Sequence, residues 1–84
     1  MSPETKDQKI KVVSYSGYRG EEIPRSLIID GKKINVVEII KTWIEEDLMT
    51  RKVRRAFYLK GSDGLKHTIY YNENSMEWFY KIKI

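Results

Sequence analysis

Two Asp-Gly pairs constrain the fold of this 84-residue chain more than any other feature. Asp30-Gly31 and Asp63-Gly64 each separate two runs rich in β-branched and aromatic residues. Asp-Gly readily adopts the positive φ angles of a tight turn, so each pair predicts two adjacent antiparallel strands. Strict alternation of apolar and polar residues near both ends of the chain predicts further strands. The sequence therefore predicts a mainly β protein, a small antiparallel barrel of five or six strands of the SH3-like or OB-like kind.

The segment 33–46 fits two secondary structures. Five of its apolar residues recur at helical spacing, namely Val36, Val37, Ile40, Trp43 and Ile44. However, seven of its residues are β-branched, and such residues lose side-chain freedom in a helix. The preceding turn also leaves no room for a helix N-cap. We therefore predict a long strand with a bulge near residues 37–39, because an inserted residue resolves the Val-Val and Ile-Ile doublets.

Length and composition predict one folded domain. The chain is 40% hydrophobic and 12% aromatic, too apolar for disorder, and without cysteine it must be stabilised by packing. Residues 1–8 are polar, include Pro3 and lack periodicity, so we expect a flexible leader before a single barrel domain at 9–84. No apolar run approaches the roughly 18 to 20 residues of a membrane span, and no signal-peptide core is seen, which predicts a soluble cytoplasmic protein.

The residue usage also carries a signal about the source. Isoleucine, lysine and glutamate are heavily used, cysteine is absent, and glutamine occurs only at Gln8. A thermophilic source would produce this bias, because thermolabile residues are avoided and surface ion pairs favoured there. AT-rich codon usage would produce much of the same bias, so both explanations stay open.

Few residues of the chain are suited to catalysis. There is no cysteine nucleophile, and a triad or histidine-rich metal site cannot be assembled from His67 alone. Two groups of adjacent acids occur, at 21–22 and 45–47, and adjacent acids are typical of solvated loops. We therefore predict a protein that is not an enzyme, with no cofactor, metal or small-molecule substrate, in which His67 has a structural role.

Cationic residues are concentrated in one segment. Five cations fall within ten residues that contain no acid: Arg51, Lys52, Arg54, Arg55 and Lys60. If they share a face, they form a stripe that contacts nucleic-acid phosphates. The alternative is a solvated edge strand whose charge prevents aggregation. The whole domain is basic as well, with 16 Lys and Arg against 12 Asp and Glu.

Aromatic residues exceed what a small core needs, so some are predicted to be exposed. Tyr58 and Tyr70 point outward if their aromatic neighbours point inward, and with Lys60 and Lys66 they resemble a base-stacking or protein-docking platform. The alternative is a set of cross-strand pairs that only stabilise a hairpin.

Two adjacent aromatic residues, Trp78 and Phe79, lie on opposite faces of the last predicted strand. Trp78 lies on the apolar face and is predicted to belong to the core. Phe79 shares the opposite face with charged residues, where it either exposes an apolar ring or packs under the loop that contains Tyr18.

Residues 14–84 resemble a family of small uncharacterised β-domains. Five segments carry the resemblance: 14–25 (SYSGYRGEEIPR), 27–31 (LIIDG), 36–43 (VVEIIKTW), 55–64 (RAFYLKGSDG) and 78–80 (WFY). Similar domains stand alone in prokaryotes or follow the catalytic region of bacterial Y-family DNA polymerase-like proteins. The basic chain, rich in isoleucine and lysine, also resembles the small accessory subunit of the B-family replicative DNA polymerase holoenzyme of crenarchaea. The resemblance implies a non-enzymatic module in a polymerase context.

These observations lead to a functional expectation. The protein is expected to bind a DNA polymerase or another replication or repair protein and to stabilise it on DNA, without contacting a membrane. Its docking patch would comprise Tyr18, Arg19 and Phe79, and its DNA contacts the five cations of residues 51–60. Two alternatives stay open: a nucleic-acid-binding barrel that acts alone, and an enzyme with an unrecognised pocket.

Overall fold

A computed structural model describes the backbone of residues 5–16, 22–47 and 52–83, and the side chains of residues 8–15, 22–46 and 53–81. The chain forms six strands: β1 (Thr5–Ser16), β2 (Glu22–Ile29), β3 (Lys32–Asp47), β4 (Lys52–Gly61), β5 (Lys66–Asn72) and β6 (Glu77–Lys83). They form a closed antiparallel barrel in sequence order. The predicted small antiparallel barrel is confirmed. No described segment forms a helix with the length and apolar character that crossing a membrane would need.

The barrel closes through the pairing of β1 with β6. Thr5 lies opposite Lys83, and the register continues to Ile10 opposite Trp78. Residues 5–8 are therefore part of a strand, and the prediction that they belong to a flexible leader is wrong. Residues 5–8 are held in the sheet by backbone hydrogen bonds, which need no apolar side-chain pattern. Their polar sequence therefore does not predict a strand.

Both Asp-Gly turns are where the sequence predicts them. Asp30 has a φ of 51° and Gly31 a φ of 80°, the geometry of a two-residue hairpin turn between β2 and β3. Gly64 has a φ of 84° between β4 and β5, where the Asp63 carboxylate accepts a hydrogen bond from the Leu65 amide at 3.1 Å. Local turn chemistry therefore fixes two of the hairpins.

The segment 33–46 is extended, as predicted, and its register against β4 shifts twice. The shifts fall between Val36 and Glu38 and between Ile39 and Lys41. Val36 and Ile39 pack against the core, whereas the skipped residues Val37 and Ile40 are 62% and 42% exposed. Each doublet thus places one residue inside and one outside, which is how a bulge resolves the pattern.

The interior of the barrel is filled by large apolar side chains. The buried cluster consists of Ile10, Leu27, Phe57, Leu59, Ile69, Tyr71 and Trp78. The Trp78 ring lies 4.5 Å from that of Tyr71 and 5.7 Å from that of Phe57, measured between centroids. The prediction that Trp78 belongs to the core is confirmed.

Candidate functional site

The five predicted DNA-contact residues do not share one face of β4. Arg54 and Lys60 point to the outside of the barrel, whereas Arg55 belongs to the inner face with the core residues of β4 and β5. Neighbouring residues of a strand point to opposite faces, so the two arginines cannot form one stripe. Arg51 and the side chain of Lys52 lie outside the described residues.

Both arginines are bound by carboxylates. Arg54 Nη2 lies 3.1 Å and Arg54 Nε 3.3 Å from Glu45 Oε1, and the guanidinium stacks 3.7 Å from the ring centroid of Tyr70. Arg55 Nε lies 3.3 Å from Glu73 Oε2. Because each charge is compensated locally, neither arginine presents a free cation to a phosphate.

Glu45 is the centre of a small outer layer on the sheet, which consists of Trp43, Glu45, Arg54 and Tyr70. Trp43 Nε1 donates a hydrogen bond to Glu45 Oε2 at 2.9 Å. Burial acts to raise the pKa of Glu45, but hydrogen bonds from Trp43 and Arg54, together with the charges of Arg54 and Lys81, hold that pKa below its ordinary value. The outer layer is therefore a stabilised ionic cluster.

The outer layer changes the interpretation of the predicted aromatic platform. Tyr70 points outward, as predicted, but it is only 1% exposed and cannot stack on a ligand. It lies between Ala56 and Phe79 on the neighbouring strands, and Phe79 is half-buried beside it. The other two predicted docking residues, Tyr18 and Arg19, lie outside the described residues.

The outer face of β3, β4 and β5 does carry a set of cations. Lys41 lies opposite Tyr58, and Lys60 lies directly opposite Lys66. All three lysines are exposed and Tyr58 is half-buried. Among the described residues, none of the three lysines forms an ion pair with a carboxylate. We call Lys41, Tyr58, Lys60 and Lys66 the lysine face. Of these four residues, only Lys60 belongs to the five predicted DNA-contact residues.

The barrel wall is open along part of the boundary between β2 and β3. The two strands pair over four positions, from Ser26 opposite Asn35 to Ile29 opposite Lys32. Beyond these positions, no pairing joins residues 22–25 to residues 36–47 within the described chain. Two local features coincide with the opening. Pro24 on β2 has no N–H to donate, and the register of β3 against β4 shifts twice between Val36 and Lys41. We call this opening the seam.

Two cavities follow each other along the seam and share Ile39. One has a volume of about 530 Å³ and is lined by Glu22, Ile23, Ile39, Thr42, Ile44 and Phe57, among others. The other has a volume of about 770 Å³ and is lined by Val13, Tyr15, Pro24, Arg25, Val37 and Ile39, among others. Together they form a groove along the open edge of β3.

Exposed apolar side chains are concentrated around this groove. Of the eight large hydrophobic residues that are exposed in the described part of the chain, five lie on β3 or line the second cavity: Val13, Tyr15, Val37, Ile40 and Ile44. Exposed apolar residues that cluster are a sign of an interaction site, whereas scattered ones are ordinary.

Polar groups at the mouth of the seam are held in fixed positions. Ser14 Oγ donates a hydrogen bond to Glu22 Oε1 at 2.6 Å. Burial, with the charges of Glu22 and Glu73 nearby, raises the pKa of the Tyr71 phenol. The Tyr71 phenol, which belongs to the core, therefore stays neutral, and Glu22 supplies a polar group to the first cavity.

His67 links the β4–β5 turn to β6 inside the barrel. Its Nε2 lies 3.0 Å from Asp63 Oδ2 and its Nδ1 lies 3.0 Å from the Tyr80 hydroxyl. In the tautomer with its proton on Nε2, His67 donates a hydrogen bond to the Asp63 carboxylate and accepts one from the Tyr80 hydroxyl at Nδ1. Burial and the charge of Asp63 raise the pKa of Tyr80, which is opposite to what activation of a phenol requires. This trio stabilises the structure at the end of the barrel.

Compared with family models, curated proteins and solved structures, the chain matches none of them. Within the described residues, no three histidine or acidic side chains come together in a way that could hold a metal ion.

The sequence does not predict the seam, although two features beside it are visible in the sequence. Pro24 and the doublets of β3 mark places where strand pairing can be interrupted. Neither feature says on which side of β3 the sheet opens. The lysine face was partly foreseen, because Tyr58, Lys60 and Lys66 were grouped, but Lys41 reaches it only through the register of β3 with β4.

Proposed function

We propose that the protein is a non-catalytic accessory protein of the cytoplasm, which binds a DNA polymerase or a related replication or repair protein through the seam. One observation carries the proposal: four of the eight exposed large hydrophobic residues of the described chain line the two cavities of the seam, and a fifth, Ile40, lies on β3. The resemblance of residues 14–84 to polymerase-associated β-domains supports the class of partner.

An open strand edge is unfavourable for a barrel that stands alone. A barrel that closes fully leaves no unpaired strand, whereas an open edge exposes backbone N–H and C=O groups to unwanted pairing. Covering apolar surface contributes about 25 cal/mol for each Å² removed from water, so a partner at the seam gains from burying the β3 side chains. Aromatic and apolar anchors in a groove are the usual centre of a protein interface.

Two double variants test the proposal. Val37→Glu with Ile44→Glu places two charges in the seam at residues that are 62% and 65% exposed. Leu65→Glu with Met76→Glu is the matched control, because these turn residues are 61% and 74% exposed and lie away from the seam. We expect the seam variant to weaken binding to a purified B-family or Y-family polymerase of the source organism roughly 30-fold or more. We expect the control to bind like the wild type.

Calorimetric titration against each polymerase gives the affinities, with circular dichroism to confirm the fold of each variant. Equal loss in both double variants would attribute the effect to charge alone, and the seam would not be the docking site. If the wild type binds neither polymerase, the proposed partner class is wrong.

The lysine face favours a second candidate, a nucleic-acid-binding barrel that acts alone. Its support is the group of three exposed lysines that form no ion pair in the described chain. DNA affinity without any polymerase binding would favour this candidate, since the two functions use different surfaces.

A further inference from the structure

Lys60 and Lys66 form a cross-strand pair of like charge. They lie directly opposite each other on β4 and β5, and both are exposed. Like charges in this arrangement destabilise a sheet. Glu38 lies on the other side of Lys60, but it forms no ion pair with either lysine. Both ammonium groups are therefore exposed and without a bound carboxylate in the described chain, so they are available to an anion from outside.

Tyr58 provides a second kind of contact on the same face. It lies between Lys41 on β3 and Thr68 on β5, and it is the next outward-facing residue of β4 before Lys60. Its ring is half-buried, which restricts its orientation while part of its surface stays accessible. Aromatic rings in positively charged surroundings stack with unpaired bases, and they accept any base because every base has a π face.

We propose that the lysine face binds single-stranded nucleic acid. Lys41, Lys60 and Lys66 contact successive phosphates across three strands, a width of about 10 Å, and Tyr58 stacks on a base between them. A duplex offers the same phosphates but keeps its bases stacked, so it lacks the second contact. This site replaces the predicted arginine stripe, whose members Arg54 and Arg55 are bound by Glu45 and Glu73.

The site does not depend on the docking function proposed above. It belongs to the outer face of the sheet and requires no protein partner, so it is tested on the free protein. Loss of nucleic-acid binding in a lysine-face variant that still binds the polymerase separates the two functions. The opposite result, from the seam variant, separates them equally well.

Two triple variants with the same net charge form the test. One changes Lys41, Lys60 and Lys66 to Gln, and the other changes Lys11, Lys32 and Lys33, which are exposed elsewhere. Each takes the net charge of the chain from +4 to +1. The probe is a fluorescent 20-nucleotide oligo-dT, titrated by anisotropy at several salt concentrations, with a duplex of the same length beside it. A Tyr58→Leu variant is titrated in parallel.

The wild type is expected to bind oligo-dT more tightly than the duplex. In the lysine-face triple variant, the slope of log affinity against log salt concentration decreases in magnitude by about 2. Each of the three lost single-strand phosphate contacts contributes about 0.7 to that slope. Tyr58→Leu lowers the affinity about 5-fold or more and leaves the salt slope unchanged. The control triple keeps the wild-type slope.

Three results would overturn the inference. Equal loss in both triples would mean that net charge alone governs binding. Equal affinity for the duplex, with no effect of Tyr58→Leu, would remove the single-strand preference. If the wild-type protein does not bind oligo-dT at 50 mM salt, the lysine face is not a nucleic-acid site.

Discussion

The two edges of β3 differ sharply. On one edge β3 pairs with β4 over ten positions, from Val36 opposite Gly61 to Asp47 opposite Lys52. On the other edge it pairs with β2 over only four positions and is open beyond Asn35 in the described chain. Where β3 pairs with β4, the sheet has the core on its inner face and the outer layer on its outer face. Exposed apolar residues lie along the open edge instead. β3 is therefore held in the sheet mainly through its edge with β4, and its other edge is the one that we propose for docking.

A second boundary shows that the barrel can compensate for interrupted pairing. β5 and β6 also pair over four positions, from Ile69 opposite Tyr80 to Asn72 opposite Glu77. Beyond Ile69, His67 bonds to the Tyr80 hydroxyl and to Asp63, which connects the strands through side chains. The seam between β2 and β3 has two cavities instead. The seam is therefore marked by the two cavities that lie along it.

The largest expected effect concerns the core that the barrel encloses. Trp78→Ala removes a ring that contacts Tyr71 and Phe57, and truncation of a buried tryptophan costs about 3 to 5 kcal/mol. Because small domains have about 5 to 15 kcal/mol of stability, the melting temperature should fall severely. Ile44→Ala at the seam is the control, with a change of about 0.5 kcal/mol or less. Similar melting temperatures for both variants would remove the distinction between the two edges.

The outer layer should have an intermediate effect. Arg54→Ala removes the guanidinium that stacks on Tyr70 and binds Glu45, which we expect to cost about 1 kcal/mol in the free energy of unfolding. Arg25→Ala is the matched control, because its guanidinium lies 5.3 Å from the exposed ring of Tyr15. Chemical denaturation measures both. If the two variants are equally stable, the outer layer does not contribute to the paired side.

Acid should weaken the same layer. The folded-state pKa of Glu45 is below its ordinary value of 4.5, so the carboxylate contributes stability above that value. This contribution is lost as the pH falls through the folded-state pKa, because protonation removes the hydrogen bonds and the ion pair. We expect wild-type stability to fall more steeply below about pH 4.5 than that of Glu45→Gln. Thermal melts between pH 3 and 7 give the comparison, and parallel curves would contradict it.

The smallest effect concerns the lysine face. Lys66→Glu replaces a like-charge pair by an opposite-charge pair with Lys60, and we expect it to stabilise the protein by about 0.2 to 1 kcal/mol. The control is Lys32→Glu, which makes the same change of net charge beside the Asp30-Gly31 turn. The gain should shrink as salt is added, since exposed charges are screened. An equal gain in the control would show that only net charge matters.

The sequence determines the local features of this fold but not the way its sheet opens. Asp30-Gly31 and Asp63-Gly64 require particular backbone angles, and the doublets of β3 require a bulge, so these could be predicted. The pairing of residues 5–8 with β6 depends on backbone groups that every residue carries. The side on which β3 loses its partner depends on the combined twist of several strands, which no single residue encodes.

The candidate sites show the same limit. Alternation alone separates Arg54 from Arg55, and the cation stripe was expected only if those residues share a face. That Tyr70 is covered could not be predicted, because Arg54 and Glu45 come together across β3 and β4 only in the folded sheet. Which cations remain free depends on where their acidic partners lie, and that is a property of the register.

Hydrogen exchange measured by mass spectrometry, with and without a bound polymerase, tests the central claim most directly. In the free protein, residues 36–47 should exchange faster than residues 66–72, because one edge of β3 lacks a backbone partner. On addition of the polymerase, residues 22–25 and 36–47 should gain protection while residues 66–72 stay unchanged. Protection confined to residues 66–72, or none along β3 in a complex that forms, would contradict docking at the seam.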